Sequence, residues 1–463
     1  MNDSLLFNKA LIERYDKAGP RYTSYPTAVQ FHDEFGSEQY CAIARSTNED
    51  PVPQPLSLYF HLPFCSTVCY YCACNKIITN NRNHAVPYLK HLHREIALQG
   101  ELFDRDRHVE QLHWGGGTPT FISHEQMQAL MDVTRRHFSL KDDDSGEYSI
   151  ELDPREANEK TMILLRKLGF NRVSLGVQDF EPQVQESVNR IQTQEETSAI
   201  INAARDQGFK SVSIDLIYGL PFQSVQSFDR TLEKILRMEP DRLSVFNYAH
   251  MPDRFKVQKQ INRDELPTAE EKLMILQHII NHLTSAGYVY IGMDHFAKPD
   301  DELTIAQQNG TLYRNFQGYS THANCDLIGM GISSISKINE CYAQNVYGLD
   351  EYAKRIDAGE IPIQRGIKLD PDDRLRRDVI TRIICNFRLD IHAIEDKYMI
   401  NFNDYFFNEL QRLKEMVNDR LLTVEPDKIE ISTEGRLLVR NICSVFDKYL
   451  RQDDNSRKFS RMV

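Results

Sequence analysis

The 463-residue sequence contains no run of about 18 apolar residues, so no membrane-spanning helix is expected. Its first residues, Met1-Asn-Asp-Ser-Leu-Leu-Phe7, have neither the basic nor the apolar region of a secretory signal. Positive charge is not in excess. The 55 Lys and Arg stand against 67 Asp and Glu, a net charge of −12, which argues against sequence-independent nucleic-acid binding. An anionic substrate would therefore need a local basic pocket. Tryptophan is nearly absent, Trp114 being the one example. No G-x-G-x-x-G run opens a helix after a strand, so a dinucleotide fingerprint is missing. What is present is cysteine: nine residues, four of them between 65 and 74. Without a secretory signal, that pattern indicates a reducing cytoplasm and metal binding rather than disulfides.

The cluster reads Cys65-Ser-Thr-Val-Cys69-Tyr-Tyr-Cys72, with Cys74 two residues on. It leaves an apolar strand-like stretch, 56–64. Ferredoxin-type runs supply four thiolates and close every iron. Three thiolates in one turn hold a four-iron cubane by three corners and leave the fourth iron open to bind and reduce a ligand. The competing reading is a four-cysteine zinc site with Cys74 as the fourth ligand. Structural zinc sites usually split their cysteines into two pairs on separate turns, and no second pair exists here.

Length allows about three domains, or one barrel of about 250 residues with additions. Four segments are expected: an N-terminal arm over 1–50, a barrel over 51–300, a connecting and closing segment over 301–365, and a mainly helical, winged-helix-like domain over 366–463. In the barrel, strand-like stretches at 56–64, 111–115, 148–153, 172–178, 211–218, 242–250 and 288–296 alternate with helical ones. Such alternation implies parallel strands joined by crossovers. Three crossovers end alike, at Gly169, Gly208 and Gly287, each followed by an aromatic residue entering the next stretch. The expected class is α/β, with a partial (β/α)6-type, TIM-like barrel. The 301–365 segment reads as irregular.

Side chains on a strand alternate faces. Leu58, Phe60 and Leu62 oppose Ser57, Tyr59 and His61; Ile150 and Leu152 oppose Ser149, Glu151 and Asp153; Val173, Leu175 and Val177 oppose Ser174, Gly176 and Gln178; Ile214 and Leu216 oppose Ser213 and Asp215. The apolar face should meet the helices. The other face is small or polar, whereas an ordinary closed barrel is filled by branched apolar residues. Unpaired carboxylates buried there would be costly, so the interior is expected to hold a polar ligand. Gly115, Gly116 and Gly117 follow the second strand and permit close backbone approach. The 19–27 stretch, with two prolines and a glycine, forbids a helix and reads as an ordered arm. The C-terminal helix, helix, ribbon, helix order resembles a winged helix, but no Lys/Arg-rich recognition helix stands out.

The C-x3-C-x2-C spacing is the signature of the radical S-adenosylmethionine enzymes. With Pro20-Arg-Tyr-Thr-Ser-Tyr-Pro26, His113-Trp-Gly-Gly-Gly-Thr-Pro119, Gly176-Val-Gln-Asp179, Asp215-Leu-Ile-Tyr-Gly-Leu-Pro221, Asn247-Tyr-Ala-His250 and Asn315-Phe-Gln-Gly-Tyr319, the whole chain resembles the oxygen-independent coproporphyrinogen III oxidases of haem biosynthesis. That resemblance implies conversion of two propionates of coproporphyrinogen III to vinyls, giving protoporphyrinogen IX and two carbon dioxides. It implies a [4Fe-4S] cluster on Cys65, Cys69 and Cys72, and two S-adenosylmethionines. The first would meet Tyr59, Gly116, Glu151 and Ile335, and the second Tyr71, Gly117, Thr118, Gln178, Arg190, Asp215 and Ala249. Tyr59, Glu151 and Cys74 are carried over as catalytic, Cys74 not as a cluster ligand and with its role open. Tyr71 stands where the family's pattern has Phe, which leaves ring stacking possible.

The substrate's four propionates point to Arg21, Lys298 and Arg314 as candidate cationic partners. The resemblance further implies an electron donor, an unidentified final electron acceptor, no nucleic-acid or membrane partner, a monomer and a cytoplasmic location. The alternative is the haem chaperone of the same superfamily, which binds and transfers haem without dehydrogenase activity. It usually lacks the 20–26 arm and carries a Tyr-Trp element near the C-terminal domain, absent here because Trp114 is the sole tryptophan.

Overall fold

Six stretches form parallel strands in the computed structural model, which describes residues 8–15 and 17–451. They are β1 (Leu56–Leu62), β2 (His108–Gly116), β3 (Glu147–Leu152), β4 (Arg172–Gln178), β5 (Ser211–Tyr218) and β6 (Arg242–Asn247). Each pairs in parallel with its sequence neighbour. The crossovers carry α1 (Ala85–Gly100), α2 (His124–His137), α3 (Glu159–Leu168), α4 (Gln194–Asp206) and α5 (Val225–Arg237). Four of these helices start on the same local device: Ser123, Asn158, Thr193 and Ser224 each accept a backbone N–H three residues on, satisfying a donor the helix leaves unpaired.

Three helices end as the sequence suggests. Gly169 (φ +103°), Gly208 (φ +74°) and Gly287 (φ +93°) take the left-handed conformation, and Phe170, Phe209 and Tyr288 donate back to Leu165, Ala204 and Leu283 at 3.0 Å each. The helix-facing side chains Leu58, Phe60, Ile150, Leu175, Ile214 and Leu216 are fully buried, so hydrophobic burial fixes which face of each strand is left for a ligand.

The chain forms two compact units built from separated segments. One comprises 31–268 and 324–368; the other takes its described residues from 1–30, 269–323 and 369–463. Two expectations change here. The 301–365 stretch is not irregular. It contains β7 (Asp326–Met330), β8 (Ile335–Ile338), β9 (Cys341–Asn345) and β10 (Ile363–Lys368). β7 pairs in parallel with β1, and β8, β9 and β10 continue antiparallel. β7 and β9 are buried at every position. Strands covered on both faces show no alternation, which is why periodicity does not reveal them. The 288–296 stretch is likewise not a parallel strand. It is the antiparallel hairpin of Val289–Gly292 with His295–Ala297, in the second unit.

In that second unit, the arm over 20–26 is packed. Tyr22 and Tyr25 are buried, the Tyr22 hydroxyl donates to Asp447 at 3.1 Å, and Arg21 pairs with Asp294 at 3.5 Å. The expected hairpin of the C-terminal region is Leu422–Val424 with Lys428–Ile431, joined by a third strand, Arg388–Asp390, which pattern reading misses. The last helix is short. A 3-10 turn, Gly435–Leu438, leads into Val439–Val445, and the Asp447 carboxylate takes the Tyr449 N–H at 2.9 Å, closing the chain into a turn.

One buried carboxyl ties α1 to the turn after β7. Glu95 has no exposure. It accepts the Gly331 N–H (2.7 Å), the Asn345 amide (2.7 Å) and the Tyr352 hydroxyl (2.5 Å). Burial raises its pKa to about 7 against the pull of those three donors. Glu95→Leu leaves them unpartnered and is expected to cost about 2–4 kcal/mol of unfolding free energy, read by urea denaturation; Glu95→Gln, which keeps an acceptor, should cost less. Equal stability of the Glu95→Leu variant and the parent would remove the anchoring role.

Candidate active site

The cysteine loop leaves β1 and returns beside its own start, because Phe64–Cys65 pairs in parallel with Ile77–Ile78. Backbone bonds hold it on several sides: Thr118 N–H to Phe64 O (2.7 Å), Gly117 N–H to Leu62 O (2.9 Å) and Tyr70 N–H to Val188 O (3.0 Å). Side chains complete the clamp. Asn189 donates to Val68 O at 2.8 Å, Gln258 to Tyr71 O at 3.0 Å, and Asn75 to the Ser333 hydroxyl at 3.1 Å. A Cβ at Gly117 would stand 2.7 Å from Phe64 O, so only glycine lets the second strand's end approach the loop this closely.

Cys65, Cys69 and Cys72 are half-buried free thiols and Cys74 is exposed. Thr118 Oγ1 donates to the Cys65 sulfur at 3.6 Å, and Arg190 Nη1 to the Cys69 sulfur at 3.5 Å. Burial pushes Cys65 up to about 11. The Cys74 thiol, hydrogen-bonded to Cys72, pulls Cys72 down to about 6 with help from Lys76, and Cys74 itself is raised. Soft thiolate donors with hydrogen bonds aimed at sulfur suit an iron–sulfur cluster. Arg190 adds a second sign of fit. It is buried, pairs with Asp153 at 3.0 Å, and has its Nε without a partner among the described residues.

The polar face of the sheet is a connected network. Glu151 on β3 accepts the Gly116 N–H at 3.0 Å and His113 Nε2 at 3.3 Å. A carboxylate only accepts, so His113 carries its proton on Nε2 and takes the Ser149 hydroxyl at Nδ1, 2.6 Å away. Tyr59 stacks on His113 with ring centroids 5.8 Å apart. Its hydroxyl lies 3.1 Å from His61 Nδ1, while His61 Nε2 donates to Asn75 O at 2.9 Å. Gly116 has φ +112°, and a Cβ there would stand 2.5 Å from His61. Burial works to raise the Glu151 pKa, but His113, the Gly116 N–H and His61 outweigh it and hold the carboxyl below its ordinary range. Asp215 behaves oppositely. Burial, then the Glu151 charge, raise it to about 6 against hydrogen bonds from Ser174 and Ser244.

The sequence-predicted residues thus fall into connected groups. Tyr59, Gly116 and Glu151 share one network with His61 and His113. Thr118 reaches Cys65. Gln178, at φ +71°, and Arg190 both crowd the space that Gly176 leaves empty, a Cβ there standing 2.9 Å from one and 3.1 Å from the other. Tyr71 packs against the Val184, Val188, Leu220, Tyr248 and Ile261 cluster and faces Arg190 and Cys69. Ala249 follows Tyr248 of that cluster, beyond the end of β6. Ile335 opens β8 against the backbone of β7, where a Cβ on Gly329 would stand 2.6 Å from its carbonyl. Arg21, Lys298 and Arg314 lie in the second unit. Sequence reasoning assigns no roles to His61, His113, Ser149 and Asp153. The alternation of β2, with His113 opposite Leu112 and Trp114, carries that signal.

A model of the radical SAM superfamily matches residues 59–235, and a model of the HemN C-terminal domain matches 369–438. The oxygen-independent coproporphyrinogen III oxidase of Pseudomonas aeruginosa is 51% identical over 463 residues, covering 100% of both chains. This chain belongs to the oxygen-independent coproporphyrinogen III oxidases. The Escherichia coli oxidase is 50% identical over 98% of each chain. A solved structure described as coproporphyrinogen III oxidase (HemN) from Escherichia coli, a radical SAM enzyme, superposes with a TM-score of 0.91 at 48% identity, covering 96% of this chain and 100% of that one. The mixed α/β architecture with its parallel sheet is the radical SAM fold of this oxidase family.

A carboxyl raised in the folded state binds its proton more tightly when folded, so its contribution to stability is lost as pH rises through that value. Asp215, raised to about 6, should therefore favour the fold at pH 4 and disfavour it at pH 8. Asp215→Asn is expected to gain stability relative to the parent between those two pH values, measured by thermal unfolding of the metal-free protein. A pH-independent difference would show that Asp215 titrates normally.

Proposed function

We propose that this chain performs the reaction of its family, the oxidative decarboxylation of two propionates of coproporphyrinogen III to vinyls, giving protoporphyrinogen IX. The observation that carries this reading is the loop of three half-buried thiols set under hydrogen-bond donors. Cys65, Cys69 and Cys72 would hold a [4Fe-4S] cluster. When bound, the cluster and S-adenosylmethionine supply one-electron reduction and hydrogen-atom abstraction from an unactivated carbon.

The protein's part is binding, orientation and exclusion of water. Glu151, kept ionised by His113 and the Gly116 N–H, offers an acceptor to the ammonium or hydroxyl donors of a first S-adenosylmethionine, beside Tyr59, Gly116 and Ile335. Asp215 offers acceptors to ribose hydroxyls of a second, and the unpartnered Arg190 Nε suits a carboxylate. Tyr71, Gly117, Thr118, Gln178 and Ala249 complete that second site. Tyr59, Glu151 and Cys74 are proposed as catalytic residues; Cys74, exposed and hydrogen-bonded to Cys72, is not among the proposed cluster ligands. The enzyme is proposed to act as a cytoplasmic monomer, taking electrons from a donor and passing them to a final acceptor, with neither nucleic acid nor membrane as partner. Among the described residues no helix is long and apolar enough to cross a membrane.

The test is anaerobic reconstitution with iron and sulfide, followed by coproporphyrinogen III, a reductant and S-adenosylmethionine. One 5′-deoxyadenosine per vinyl is expected. Cys65→Ser, Cys69→Ser and Cys72→Ser should each abolish the brown chromophore and product, whereas Cys74→Ser keeps the chromophore. Parent protein that takes up only zinc and forms no vinyl group would reject the reaction.

A further inference from the structure

A buried guanidinium is normally paired, because an isolated charge out of water is costly. Arg314 departs from that rule. It is 9% exposed, and among the described residues neither its Nε nor its Nη1 has a hydrogen-bond partner. Its side chain is held over a ring instead. Arg314 stands opposite Tyr319 in the hairpin of Tyr313–Asn315 with Gly318–Ser320, its guanidinium carbon 4.8 Å from the Tyr319 ring centre. A ring face attracts the charge but accepts nothing from N–H groups in the guanidinium plane.

The hairpin offers a third donor. Gln317, in its turn, has a buried Nε2 without a partner among the described residues. The turn does not need that amide for its shape, since Asn315 Oδ1 accepts the Gln317 N–H at 2.9 Å. The carboxylate of Asp294, whose charge reaches Tyr319, is engaged by Arg21 at 3.5 Å. The platform itself is rigid. Tyr319 packs edge-on to His295 at 5.1 Å, and Gly292, at φ +142°, leaves a gap in which a Cβ would stand 2.5 Å from the Tyr319 hydroxyl.

Three buried donor nitrogens on one two-stranded element, one of them on a delocalised cation, call for a group that only accepts hydrogen bonds and carries negative charge. We propose that the 313–320 hairpin is a carboxylate-binding site, in which Arg314 and Gln317 take one propionate of the tetracarboxylate substrate. This rests on the reaction proposed above for its ligand. An arginine fork matches a carboxylate's two oxygens, and the Tyr319 ring holds the fork ready before the ligand arrives. The same arrangement makes the ligand-free protein less stable than it would be with a neutral side chain at 314.

The experiment compares the reconstituted, full-length parent with Arg314→Gln and Arg314→Lys, using coproporphyrin III and its tetramethyl ester as fluorescent probes. Arg314→Gln is expected to weaken tetra-acid binding ten-fold or more and to bring acid and ester toward equal affinity. Arg314→Lys should keep part of the preference. The melting temperature of ligand-free Arg314→Gln is expected to equal or exceed the parent's. Unchanged acid affinity in Arg314→Gln overturns the site. So does an equal loss for acid and ester with a lowered melting temperature, which assigns Arg314 a structural role. Vinyl formation is read separately. A parent that binds the tetra-acid through Arg314 yet makes no vinyl rejects the reaction and keeps the site; an Arg314→Gln protein that binds and converts like the parent does the reverse.

Discussion

Glu151 is the point on which the inner face of the sheet depends. A carboxylate inside a barrel-like fold is tolerable only when its oxygens are answered. Here a histidine from the adjacent strand and a backbone N–H from the glycine run answer both. That single acceptor fixes the tautomer of His113, the position of Ser149 and the stacking of Tyr59. It also sets the charge that raises Asp215. Two carboxyls two strands apart are thus pushed in opposite directions, Glu151 held below its ordinary range and Asp215 raised to about 6. This is how two acceptor sites of different character arise on one surface.

The cysteine loop depends on the same elements. Gly116 serves Glu151 through its N–H and makes room for His61 through its missing side chain. His61 in turn holds Asn75, at the far limb of the loop. The thiols are therefore placed by the strands that build the polar face, not by the loop alone. Arg190 joins the two from the other side, touching Cys69 and Asp153 together. A site assembled this way is rigid before any ligand binds, which lowers the ordering cost of binding.

Much of this is legible in sequence, and each part that is not has its own cause. The six parallel strands and their crossovers can be read because each strand has one face on helices and one on the lumen. β7 and β9, buried at all positions, carry no such contrast. The hairpin at Val289–Gly292 escapes because a helix-ending glycine signals that a strand follows, not which direction it will run. His113 escapes because its neighbours form a glycine motif whose signal lies in the backbone. Cys65, Cys69, Cys72, Glu151 and Asp215 stand out because chemistry or alternation marks them locally.

The sequence by itself determined the cysteine spacing, the polar face and the family, since thiol spacing and strand alternation are properties of neighbours along the chain. Tertiary structure alone decided which hydroxyl, imidazole or guanidinium meets each of those groups. It decided that Asp215 and Glu151 are pushed to opposite sides of the ordinary carboxylate range, and that the buried Arg314 Nε and Nη1 have no hydrogen-bond partner among the described residues. Those outcomes depend on distances between residues far apart in the chain, and on the loss of water around them, neither of which is written in any local pattern.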